Sequence, residues 1–157
     1  MDKLQATIAS GLTERYGSLA SRVRELAAPL TEEQFWLKPF PFGNSFGHLV
    51  LHLTGNLNYY IGAQIAGTLY VRDRGREFTE TRPLPKEEAL KSFDAAIAMV
   101  LRTLRAQSVE DWSASYSAVG AEHVGNRFNM VLRCTAHLDH HLGQMDYLCF
   151  ELRRANT

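Results

Sequence analysis

Residues 136–146 read AHLDHHLGQMD and place three histidines, His137, His140 and His141, within five positions. Imidazole serves near neutral pH as proton carrier, hydrogen-bond relay or metal ligand. Two imidazoles at i and i+4 on a helix have Cβ atoms about 5–6 Å apart, close enough to grip one ion. His137 and His141 have that spacing, and so do His48 and His52 in GHLVLHLTGN. One further imidazole from a neighbouring helix completes three nitrogen ligands and leaves a position for water or substrate. The bland alternative is a set of structural histidines at a helix–helix seam. The HExxH signature of metalloprotease helices is absent.

Which of these histidines can meet depends on the elements that carry them. The first helical stretch runs from about Leu4 to Ala28 and stops at Pro29. Thr31 and Gln34 in TEEQ form a capping-box pattern. KPFPFGN, residues 38–44, is loop, after which Asn44 or Ser45 caps a second helix over about Phe46 to Gly67. A polar connection follows at 68–84. Pro85 then stands as the first residue of a third helix, PKEEALKSFDAAIAMVLRTLRAQ, whose first turn is acidic. Residues 108–125 are a second polar connection without sustained alternation, and a fourth helix covers about Asn126 to Arg153.

Four amphipathic helices and no convincing strand predict an all-α four-helix bundle, with residues 1–157 as one domain. Seventeen extended residues between the second and third helices reach about 55 Å, whereas a 22-residue helix is about 33 Å long. The chain can therefore return along the bundle and start the third helix parallel to the second. Up-down-down-up is open to it without being required.

On the fourth helix, Met130, Val131, Cys134, Leu138, Leu142, Met145 and Leu148 define the apolar face. His141 lies roughly 50° from its centre, His137 roughly 90° and His140 roughly 150°. The opening cluster therefore splits. His137 and His141 form a pair with Gln144 on the same edge, while His140 belongs to solvent. On the second helix His52 lies roughly 120° from the apolar centre and His48 roughly 160°. His52, with Asn56 one turn on, is nearer the seam and is the third ligand in this reading; His48 and His123 are read as surface residues.

Apolar residues make up 45% and charged residues 22% of the chain, and 17 basic residues balance 17 acidic ones. That suits a soluble domain and gives no basic surplus for nucleic acid or anionic membrane. The first twenty residues have no apolar core of a signal peptide, and no run is long enough to span a bilayer. Cys134 and Cys149 lie about 22 Å apart along one helix and cannot pair. A reducing, cytoplasmic setting is expected.

NSFGHLVLHLTGNLNYYIGAQIAG followed by HLDHHLGQMDYL resembles the DinB-like/YfiT-like bundle superfamily over nearly the whole chain. The marks are His52 within H-L-x-G-N, and H-x-x-x-H-x-G-Q from His137 through His141 to Gln144. LTEEQFWLKPFPFGNSFGHL resembles the segment that precedes the first histidine. The resemblance implies an up-down-down-up bundle, one divalent metal on His52, His137 and His141, and a homodimer. Some such relatives are transferases or isomerases using low-molecular-weight thiols of the bacillithiol or mycothiol type; others are stress-response proteins without a known reaction. The expected function is thus a metal-dependent thiol S-transferase, with a non-catalytic metal-binding or interaction module as the alternative. Zinc or nickel is the expected ion, with iron as a further candidate. The catalytic residues are not identified.

Asn56 and Gln144 are the candidates for binding the cofactor or orienting a ligand imidazole. Hydrolysis by a metal-activated water would want a carboxylate base, and Asp139 and Asp146 point away from the apolar face. Cys134 is read as a small packing residue, with a fourth-ligand or redox role as the sharper alternative. Tyr59, Tyr60, Trp36 and Trp112 are pocket candidates whose simpler role is packing. Gly55, Gly62 and Gly67 are assigned to close helix approach.

Overall fold

Leu12, Tyr16, Leu19, Val23 and Leu26 are buried at alternating four- and three-residue intervals, the spacing that lines one side of an α-helix. The computed structural model describes residues 3–80 and 84–154. Its elements are α1 (Lys3–Ala27), α2 (Glu32–Trp36), α3 (Phe46–Leu57), α4 (Arg76–Thr79), α5 (Lys86–Ala106), α6 (Val109–Ser113), a two-residue pair of strands β1 (Ser115–Tyr116) and β2 (Gly125–Asn126), and α7 (Arg127–Arg154). The fold is all-α in substance, the strands being one short antiparallel ladder.

Start signals act as the side chains dictate. Thr31 and Gln34 close the capping box of α2, and Ser45 rather than Asn44 caps α3. Pro85 caps α5 instead of opening it. The second helix departs from expectation. It leaves α geometry at Leu57 and continues as a π-helical turn, Asn58–Ala63. There the amide of Gln64 donates to the carbonyl of Tyr59 (3.2 Å) and that of Ala66 to Ile61 (2.9 Å). Gly67, at φ +69°, lies beyond the helix in the left-handed region that glycine adopts without strain.

α1 and α3 each pack against both α5 and α7. Arg15 pairs with Asp139 (2.9 Å) and Arg22 with Asp146 (3.0 Å), so α1 and α7 run in the same sense. Arg24 pairs with Asp94, and Gln5 donates to the carbonyl of Gln107 (2.7 Å), so α1 and α5 run oppositely. Between the four long helices lie Tyr16, Phe46, Leu53, Leu57, Phe93, Leu104, Met130 and Leu138, all essentially inaccessible to solvent. Burying each such side chain contributes about 1.5–3 kcal/mol relative to exposure. No helix among the described residues is long and apolar enough to cross a membrane.

Candidate metal centre

α7 projects His137 and His141 from successive turns toward α3, which supplies His52. The three Nε2 atoms converge. His137 Nε2 stands 3.1 Å from that of His52 and 3.0 Å from that of His141. One nitrogen from each ring lies within 4.8 Å of the other two.

Two of the three tautomers follow from the outer nitrogens. His52 Nδ1–H donates to Glu77 Oε2 (2.8 Å), and His141 Nδ1–H donates to Gln144 Oε1 (2.7 Å). A neutral ring that carries its proton on Nδ1 has a bare lone pair on Nε2. Two bare nitrogens therefore face the Nε2 of His137, whose own Nδ1 is buried without a partner. Lone pairs held this close repel unless a proton on His137 Nε2 or a cation lies among them. A tetrahedral zinc with Zn–N near 2.0–2.1 Å would separate its nitrogens by roughly 3.3 Å, close to the spacing found. The donor set fits a divalent ion.

The two α7 rings are kept uncharged. Burial pushes His137 down to about 3, helped by the positive potential of His141, His52 and Arg72. Burial also lowers His141, against the hydrogen bond that it donates to Gln144. Metal binds neutral imidazole, so this ordering favours a ligand role.

Glu77, on α4 within the long polar connection, is the group that sequence reasoning missed. No carboxylate was expected near the triad, yet this one is 6% exposed and touches His52. Arg72 Nε and Nη2 grip its two oxygens at 2.7 and 2.9 Å. Burial alone would raise the Glu77 carboxyl; the bonds from His52 and Arg72 outweigh it and hold the group below the usual carboxylate range. Gly55 makes room, because a Cβ there would collide with the Glu77 carboxylate. Its role is thus to admit the connection, whereas Gly62 meets Met99 of α5 as a close helix approach requires. Arg72 and Glu77 lie in a segment without periodicity, so only their charge signalled them.

Beside the triad is a cavity of about 790 Å³, bounded by His52, Asn56, Tyr59, Tyr60, Arg72 and His137 among others. Tyr59 and Tyr60 reach it because the π turn takes extra residues and puts everything past Leu57 out of α phase. Asn56 is 7% exposed and its Oδ1 has no partner. Gln144 does not line this cavity; it sits on the outer side of α7, donating to His140 Nε2 (3.3 Å) while orienting His141. Cys134 borders the cavity but is wholly buried, and burial pushes its thiol up to about 12. It and Cys149 are both free. Asp139 and Asp146 are spent on the α1 ion pairs. Trp112 is buried in the core and Trp36 packs edge-on against His48.

His140 and His123 are exposed, as expected. His48 is not. It is 7% exposed, with Nε2–H donating to the carbonyl of Glu80 (3.2 Å) and Nδ1 accepting from Ser45 Oγ (2.7 Å). Helical periodicity placed His48 opposite the bundle core correctly, but α2 and the end of the 68–80 connection form a second layer over that side.

No functionally curated protein matches the chain. The DinB superfamily model matches residues 16–145, a span that holds all three converging histidines together with Glu77, Asn56 and Gln144, and the chain therefore belongs to the DinB superfamily.

Proposed function

We propose that His52, His137 and His141 bind one divalent metal ion, zinc or nickel in the first place and iron as the alternative, and that the protein is a metal-dependent transferase using a low-molecular-weight thiol. The observation that carries the reading is the convergence of three Nε2 atoms, two of them bare because Glu77 and Gln144 hold the opposite nitrogens. A divalent ion here supplies Lewis acidity, under which a thiol ionises near neutral pH.

The chain's own residues define the rest. Cys134 stays protonated and sealed in the core, so the reacting sulfur comes from a cofactor. That molecule and its electrophile enter the cavity past Tyr59 and Tyr60, with Asn56 on its wall and the Asn56 Oδ1 unpaired. The S–C bond forms as the leaving group departs with its electron pair, and the thiol proton is lost to solvent. Glu77 is no base for hydrolysis, since both its oxygens are engaged on the far side of the His52 ring. The same reading makes the protein one domain in up-down-down-up order, as the sense of the α1 pairings supports, and a cytoplasmic homodimer. Tyr147 and Phe150, three-quarters and two-thirds exposed on α7, are apolar surface that a second copy would cover; light scattering at micromolar concentration tests this, a monomer refuting it.

The deciding assay offers bacillithiol, mycothiol or glutathione with a chlorobimane to untagged, metal-loaded protein. Adduct formation should exceed the uncatalysed rate, and should vanish with chelator and in His137→Ala. Failure of all three thiols removes the transferase and leaves a metal-binding bundle. Partner capture that persists in chelator would then favour the non-catalytic module.

A further inference from the structure

Glu77 is too well placed to be only a tether for the connection that carries it. Both members of the Arg72–Glu77 pair have side chains under a tenth exposed, so the ionic contact is made away from bulk water. The pair is also oriented. Glu77 Oε2 accepts from both His52 Nδ1 and Arg72 Nη2, and Oε1 accepts from Arg72 Nε. Glu77 cannot join the metal, because the nitrogen it holds lies across the ring from Nε2. What it sets is which nitrogen of His52 keeps the proton. One turn earlier on the same helix, His48 is held in the opposite tautomer by a backbone carbonyl, so neither form is imposed by α3 itself.

We propose that Glu77 is the positioning residue of the metal centre: clamped by Arg72 in the space that Gly55 leaves, it holds His52 as the Nδ1–H tautomer and aims the bare Nε2 at the point shared with His137 and His141. This rests on the metal-binding reading above. A hydrogen-bonded carboxylate behind a ligand imidazole fixes its orientation and raises its basicity, and losing such a partner weakens metal binding by about 10- to 100-fold. A merely structural Glu77 would lower thermal stability and leave metal affinity alone.

Three measurements on the full-length, untagged protein decide it. Nitrogen-15 spectra of the metal-free wild type should show His52 protonated on Nδ1; protonation on Nε2 overturns the proposal without any variant having to fold. Zinc affinity, read by competition with a chromophoric chelator, should fall about 10- to 100-fold in Glu77→Gln, which keeps an acceptor but loses the charge. It should also fall in Gly55→Ala, which keeps Glu77 but displaces it. The absorption spectrum of the cobalt-loaded protein should shift in both variants. If the wild type binds zinc and both folded variants bind it within twofold as tightly, Glu77 is not a positioning residue and the triad stands without it. If the wild type takes up no zinc, the metal reading itself fails.

Discussion

His48 and His52 are separated by one helical turn, are almost equally buried, and have opposite relations to their surroundings. Both nitrogens of His48 are used, one by Ser45 and one by the Glu80 carbonyl. His52 is satisfied on one side only, and its other nitrogen points at two more nitrogens. Burial alone therefore does not mark a functional imidazole. A buried ring whose hydrogen bonds close is architecture. A buried ring left facing its own kind has been arranged for something that must fill the gap.

That contrast can be broken most severely at the triad. His137→Ala should reduce bound metal by more than about 100-fold, the scale of losing one of three protein ligands, while His48→Ala and His140→Ala retain it. Elemental analysis of untagged protein measures all three, and metal retained in His137→Ala would erase the distinction between the two kinds of histidine.

His48→Ala should instead act on stability. It removes the ring's hydrogen bonds with the Glu80 carbonyl and the Ser45 hydroxyl in a covered site, at a cost of about 2 kcal/mol. Denaturant melts in the presence of chelator read this directly; a loss under 0.5 kcal/mol would show that the second layer over α3 does not depend on the ring.

Acidification tests the same boundary without a mutation. The folded value of His137 is about 3, below the ordinary 6.5, so between those pH values the unfolded chain binds a proton that the folded chain refuses. Stability of the metal-free protein is then complete above about pH 6.5 and declines as pH falls toward 3, with His141 acting in the same direction. Because solvent reaches part of both rings, the expected loss is on the order of 1–2 kcal/mol. His137→Ala should flatten this pH dependence.

The long helices and the facing of His52, His137 and His141 were legible because a single period governs them and sets which sides of α3 and α7 meet. Gln144 was legible as a neighbour of His141 for the same reason. Glu77 and Arg72 were not, since nothing in RDRGREFTE repeats and contacts across 25 positions leave no local trace. His48 was misplaced by the same connection, which covers a face that periodicity can only label as away from the core. Tyr59 and Tyr60 were named as pocket candidates by residue type alone, with packing as the simpler role, because wheel positions past Leu57 assume a geometry the chain has abandoned.

Chain connectivity gives the triad a kinetic character. His137 and His141 are four positions apart, but His52 is 85 positions from His137. An unfolded chain offers a metal only the local pair, and the third nitrogen arrives when α3 and α7 have docked. Metal bound by the native state should therefore slow unfolding far more than it speeds folding, provided that docking follows the rate-limiting step. In stopped-flow experiments with zinc the folding arm of the chevron would stay in place while the unfolding arm drops, and chelator would restore it.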